Sequence, residues 1–236
     1  MMNKAIVYIT FILAMLVMAS CGSKSASRPV QVADSPEGKY VGLDVSRHQK
    51  IIDWEKVGAD KNITFVYIKA TEGATLVDSC YATNIAGAGA NGIKVGAYHF
   101  FTTTSTVDAQ VSNFLRQLRC HHQDLIPMID VETRGNWSRN QLIDSVSKMA
   151  AILEKQYHHQ PMIYSTVGFY NANLAPQFNT YPLYIGRFSD NNPPKINWNG
   201  KYTIWQFTED GIVTGITQKV DLCRFNKGFS LKDISL

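Results

Sequence analysis

The stretch IPMIDVET, residues 126–133, sets the reading of the whole chain. Apolar side chains and one proline run directly into Asp130, Val131 and Glu132. A short apolar run of this kind is the pattern of a strand buried on both faces. Residues i and i+2 of a strand point the same way, which puts Asp130 and Glu132 on one face, about 7 Å apart along the chain. Carboxylates in a buried strand destabilise it unless they are paired or used.

Similar runs lie on both sides. YVGLDVS (40–46), FVYIKAT (65–71) and KVGAYHF (94–100) come before it, and PMIYST (161–166), PLYIGRF (182–188), YTIWQFT (202–208) and VDLCRF (220–225) follow, giving eight strand candidates. Helical patterns separate the early ones. Residues 54–60 form a short helix, and the alanine-rich 79–90 stops before Asn91-Gly92. Asp108 is placed to cap a helix with Val111, Phe114, Leu115 and Leu118 on one face. Ser138 with Gln141 reads as a capping box ahead of a stripe of Leu142, Val146, Met149, Ala150 and Leu153.

Strands alternating with helices imply a parallel sheet, and eight of them suggest closure into a barrel. The alternation fails at the end. SDNNPPKINWNGK (189–201) has two prolines and cannot be helical, and EDGIVTGITQ (209–218) is turn-rich. The expected fold is therefore an α/β modified TIM-like barrel of the (β/α)5β3 kind, five βα units followed by three strands. A doubly wound open sheet is the rival, but no glycine-rich nucleotide fingerprint follows the first strand.

Composition fits a globular chain of 236 residues, 45% hydrophobic, with a formal net charge of +4 and no basic block. Nucleic acid is not implied. The first residues belong to export rather than to the fold. An apolar run over 5–19 is too short for a typical membrane span and ends in VMASC, with small residues before Cys21. This is similar to the lipobox of a bacterial lipoprotein and is preferred over a plain signal peptide. The chain divides into a signal segment (1–20), a lipidated Cys21 with a flexible tether (21–39) and a barrel domain (40–236). The tether opens GSKSASR, without the acidic residues that follow the cysteine in some surface-exported lipoproteins. A membrane anchor on the periplasmic face of the cell envelope is expected. Cys80, Cys120 and Cys223 match no zinc spacing and read as small buried apolar residues.

In an α/β barrel, function sits at the C-terminal ends of the strands. Strand one ends with Asp44 and Ser46, strand two with Lys69, Thr71 and Glu72, and strand three carries Tyr98 and His99. Strand four carries Asp130 and Glu132, strand five Tyr164, strand seven Trp205 and Gln206, and strand eight Asp221. Closure makes strands one and eight neighbours, so one mouth holds Asp44, Asp130, Glu132 and Asp221, with Lys69 as compensating cation. Crowded carboxylates raise one another's pKa, which lets one stay protonated as a general acid. Acid chemistry without a nucleophile–base set, metal cluster or phosphate loop points to glycosidic cleavage. Tyr98, Tyr164 and Trp205 suit stacking on sugar rings. Two other readings stand beside this one. The first is a non-catalytic glycan-binding module. The second is a metal hydrolase using Asp44, His99 and Asp221, which strand geometry disfavours because His99 points away from Tyr98.

Taken in order, GLDVSRHQKIIDW (42–54), FVYIKATEG (65–73), GIKVGAYHFF (92–101), PMIDVE (127–132), PMIYST, IWQFTEDGIVTGI (204–216) and VDLCRF resemble glycoside hydrolase family 25, the lysozymes also called N-acetylmuramidases. The resemblance implies a (β/α)5β3 barrel that cuts the β-1,4 bond between N-acetylmuramic acid and N-acetylglucosamine in peptidoglycan. By motif, Glu132 corresponds to the general acid and Asp130 to its partner. Asp44 and Asp221 correspond to the other two active-site acids. Tyr98 and Tyr164 correspond to ligand-contacting aromatics, and Lys69 to the cation. Peptidoglycan glycan strands are the implied partner, with no cofactor, no metal and a monomeric chain. Two departures stand out. Cys223 occupies the position where the family commonly has Asn, and LYIGRF (183–188) replaces a Trp-containing motif. Whether the reaction is retaining, inverting or substrate-assisted does not follow from sequence.

Overall fold

The computed structural model describes residues 41–189 and 191–236. The signal segment, Cys21 and the tether lie outside the described residues.

The strands, in chain order, are β1 (Val41–Val45), β2 (Ile63–Glu72), β3 (Leu76–Val77), β4 (Lys94–Phe100), β5 (Met128–Asp130), β6 (Met162–Thr166), β7 (Leu183–Gly186), β8 (Ile204–Gly211) and β9 (Val220–Phe225). The helices are α1 (Trp54–Ala59), α2 (Tyr81–Ala90), α3 (Val107–Cys120), α4 (Arg139–Tyr157) and the short α5 (Val167–Phe169), which runs on into a π turn at Tyr170–Leu174. The sheet order is β1-β9-β8-β7-β6-β5-β4-β2-β3, and β1 also pairs with β2, which closes the barrel and leaves the two-residue β3 as an appendage on β2. Each of the first five barrel strands is followed by a helix and the last three are not, as expected from the sequence.

One strand departs from the parallel reading. β9 runs antiparallel to both β1 and β8. The reason is connection length: residues 212–219 are fewer than the dozen or so that a parallel crossover needs. β8 also extends through Glu209 and Asp210, which the sequence had suggested were loop.

Strand alternation sorts the side chains into two layers. Leu43, Val66, Ile68, Ile129, Ile163, Ile185 and Leu222 face outwards and pack under the helices. Phe65, Tyr67, Met128, Met162, Tyr184, Ile204 and Cys223 fill the barrel. Gly96 makes room for this filling, because a Cβ there would stand 2.7 Å from the Tyr67 ring. The C-terminal turn at Leu231–Ile234 plugs the floor, where Ile234 is fully buried and its carbonyl accepts from the Ile126 N–H at 2.9 Å. With the floor closed, the mouth at the other end is where polar groups can gather.

Local signals account for the helices. Ser138 and Gln141 form the capping box of α4, whose stripe of Leu142, Val146, Met149, Ala150 and Leu153 is completely buried. For α3 the cap is Thr106 rather than Asp108; Asp108 lies in the first turn and reaches Lys148 of α4 at 2.7 Å. Only Cys223 of the three thiols is buried; Cys80 is half-buried and Cys120 exposed, so the small-apolar reading holds for one of them.

Candidate active site

β5 forms ladder pairs only over Met128–Asp130, so Glu132 stands just beyond the strand end, in the mouth. Asp130 is 6% exposed, whereas Glu132 is open to the cleft. Their carboxyls hydrogen-bond each other. Across the mouth, Asp44 of β1 and Asp221 of β9 are direct register partners and also hydrogen-bond. Both couples line one cleft of about 240 Å³ together with Tyr98, Tyr164, Gln206 and Phe188. A larger hollow of about 530 Å³ lies near the C-terminal ends of α2 and α3, remote from these acids. Its Asp124 is already engaged by Lys94 at 2.8 Å and His122 at 3.3 Å.

Burial is the largest force on all four carboxyls, and it favours the neutral form. Asp221 is pushed up to about 10, by burial first and then by the negative charge of Asp44. Asp44 is also raised, but hydrogen bonds from Asp221, Tyr184 and Gln206 pull the other way. The Tyr184 hydroxyl donates to Asp44 Oδ2 at 2.6 Å and the Gln206 amide donates to the same oxygen at 3.0 Å. Of this couple, Asp221 holds its proton the longer and Asp44 is the first to ionise. In the other couple, Asp130 is raised by burial and then by Glu132 beside it; Glu132 is raised by burial, against the pull of its bond to Asp130. Asp130 Oδ1 is buried with no hydrogen-bond partner among the described residues.

Tyr164 donates to Gln206 Oε1 at 2.7 Å, which turns the Gln206 amide N–H₂ towards Asp44. Gly186 keeps the space for that bond, since a Cβ there would lie 2.9 Å from Gln206 Oε1 and 3.0 Å from the Tyr164 hydroxyl.

Two expected site residues sit elsewhere. Trp205 precedes Gln206 on β8; neighbours on a strand face opposite ways, so with Gln206 inside, Trp205 lies outside. There its indole donates to the Arg187 carbonyl at 2.7 Å and its ring stacks on Arg224 at 4.3 Å. Lys69 lies beside the cleft rather than on its wall. It is bound to Glu72 at 2.7 Å and held 4.7 Å over the Phe100 ring, while its charge still lowers the pKa values of Asp130 and Glu132 slightly. Phe188, Tyr184 and Glu209 are additional residues at or beneath the mouth. His99 faces α3, bound to Thr71 at 2.7 Å and Gln110 at 3.0 Å, and is turned away from the acids.

A closed α/β barrel whose mouth holds two hydrogen-bonded carboxyl couples and sugar-sized aromatic walls defines a glycoside hydrolase. The chain belongs to the glycosyl hydrolases family 25, which its residues 43–216 match. It is similar to the structure of a family 25 glycosyl hydrolase from Bacillus anthracis, with a TM-score of 0.74 and 30% identity over 81% of this chain and 92% of that one. It is 36% identical over 189 residues to the uncharacterized protein YegX of Escherichia coli strain K12, covering 78% of this chain and 69% of that protein. It is 30% identical over 187 residues to an autolytic lysozyme of Clostridium acetobutylicum, covering 79% of this chain and 56% of that protein.

Proposed function

We propose that the chain cleaves the β-1,4 bond between N-acetylmuramic acid and N-acetylglucosamine in peptidoglycan, with Glu132 as general acid. The observation that carries this reading is the hydrogen bond between Asp130 and Glu132 at the mouth. Paired acids that flank a scissile glycosidic bond stand about 5–5.5 Å apart in retaining enzymes and about 6.5–9.5 Å apart in inverting ones. Two carboxyls in hydrogen-bond contact leave no room for the anomeric carbon between them, so both act from one side of the scissile bond.

The roles then divide by exposure. Glu132 is open to the cleft, where a glycosidic oxygen can take its proton. Asp130 is buried beneath it, and its unpartnered Oδ1 suits an acetamido N–H of the substrate. In this scheme the acetamido oxygen attacks the anomeric carbon as the glycosidic C–O bond breaks and the Glu132 proton passes to the leaving oxygen. The Glu132 carboxylate left behind, beside Asp130, balances the positive charge on the ring so formed. Water then opens that ring, returning a proton to Glu132. Asp44 and Asp221 hold the sugar on the opposite wall, with Tyr98 and Tyr164 against its apolar faces.

We also propose that the chain is monomeric and held at the periplasmic face of the cell envelope by acylation of Cys21, a reading supported by the VMASC sequence that ends at that residue. β1 begins at Val41 beside the first residue of β2, on the face opposite the mouth. The proposed tether therefore joins the barrel at the end away from the mouth. Mass spectrometry of peptidoglycan digested by the full chain tests the bond: fragments ending in reducing N-acetylmuramic acid are expected, and fragments ending in reducing N-acetylglucosamine would overturn it.

A further inference from the structure

We propose that Tyr184 is a positioning residue that holds Asp44 as an oriented carboxylate on the substrate wall; the claim rests on the glycosidase reading above. Tyr184 belongs to β7, whereas Asp44 belongs to β1, and two strands of the sheet order separate them. The contact therefore crosses the barrel interior. At 2.6 Å it has the length of an O–H donor on an ionised acceptor. The ring has little freedom to turn. It is wedged edge-on against Tyr164 at 5.3 Å and tilted against Tyr67 at 6.3 Å, and it is completely buried.

Cys223 is also fully buried in this interior cluster, where it is the register partner of Gly42 on β1.

Asp44 also feels other titratable groups. Asp221 and Cys223 face it from β9, Tyr98 from β4 and Tyr164 from β6, with Asp130 and Glu132 across the mouth. Of these only Asp221 hydrogen-bonds it, alongside Tyr184 and Gln206. Loss of the tyrosine donor is thus expected to show directly in its titration.

The experiment is an NMR titration of the Asp44 carboxyl carbon in the full chain, beside the pH dependence of kcat and KM for reducing-sugar release from purified peptidoglycan. A donor to the charged form lowers a carboxyl pKa, so Tyr184→Phe should raise the Asp44 midpoint by about one pH unit. The acid limb of kcat should move with it, kcat should fall about tenfold, and KM should stay within about twofold. A 3-fluorotyrosine at position 184, a more acidic phenol and so a stronger donor, should lower the midpoint instead. A Tyr184→Phe midpoint equal to wild type overturns the proposal. So does a 3-fluorotyrosine chain with the wild-type midpoint, a comparison that decides the matter if Tyr184→Phe does not fold. A wild-type chain that cuts no glycan, yet shows the shifted midpoint in Tyr184→Phe, overturns the proposed function and leaves the positioning role standing.

Discussion

Asp44 and Asp221 stand directly opposite each other where β1 meets the antiparallel β9, and their carboxyls share a hydrogen bond. They ionise in order. Asp221, pushed up to about 10, is neutral at physiological pH, while Asp44 is the first of the two to lose its proton, with donors from Tyr184 and Gln206 to receive the charge. Asparagine mimics a protonated aspartate far better than an ionised one. Asp221→Asn should therefore keep kcat within about tenfold of wild type, and Asp44→Asn should lose about 10²-fold or more. Steady-state rates of reducing-sugar release check both. Equal losses would contradict the unequal protonation.

His99 gives a pH dependence of stability away from the cleft. Burial holds its pKa down to about 4 in the fold, against 6.5 in its ordinary state. Between those values the unfolded chain binds more protons than the folded one, so stability falls as the pH drops through that window. The contribution is complete above 6.5 and lost towards 4, about 3 kcal/mol in all at 1.36 kcal/mol per pKa unit. The active-site carboxyls, with raised folded pKa values, tilt the curve the opposite way. The informative quantity is the difference between wild type and His99→Gln: urea unfolding over this window should show a flatter acid loss in the variant.

Phe188 is 50% exposed on the wall of the cleft. A half-exposed aromatic adds little to folding but offers a flat apolar face to a sugar ring. Phe188→Ala should raise KM about three- to tenfold with kcat nearly unchanged and a thermal midpoint close to wild type. A fall in kcat at constant KM would place this ring in the chemistry instead.

The sequence announced the barrel through its spacing. Apolar runs separated by capped helices fixed five βα units, and the Pro193-Pro194 pair ended the helical crossovers. The direction of β9 was not legible from an alternating pattern; only the shortness of residues 212–219 forces it. Asp130 and Glu132 were legible because charge in a buried run stands out, and Asp44 and Asp221 because closure makes their strands neighbours. Trp205 and Gln206 could not both face the mouth, a conflict that alternation along a strand resolves in favour of one without saying which. Lys69 was placed at the correct strand end, but nothing local marks Glu72 as the partner that holds it at the rim. Tyr184 was hidden for a different reason. An aromatic inside an apolar strand looks like core, and it is core; its hydroxyl finds Asp44 only because the barrel closes.

The membrane tether is open to a direct test. A single acyl chain binds a bilayer marginally, and stable anchoring takes more than one, as an acylated N-terminal cysteine provides. Expressed in a bacterial host, the full chain should fractionate with membranes, and Cys21→Ala should move it to the soluble fraction. Wild-type chain in the soluble fraction would contradict the anchor.

The most direct test of the central claim is the rate at which Glu132→Gln releases reducing sugar from peptidoglycan, compared with wild type at the same pH. Glutamine keeps the size of the side chain and its bond to Asp130 but cannot deliver a proton. The account predicts a loss of at least about 10²-fold, with binding to the glycan retained. A Glu132→Gln chain that works at the wild-type rate would show that the hydrogen-bonded pair at the end of β5 is not where the bond is broken.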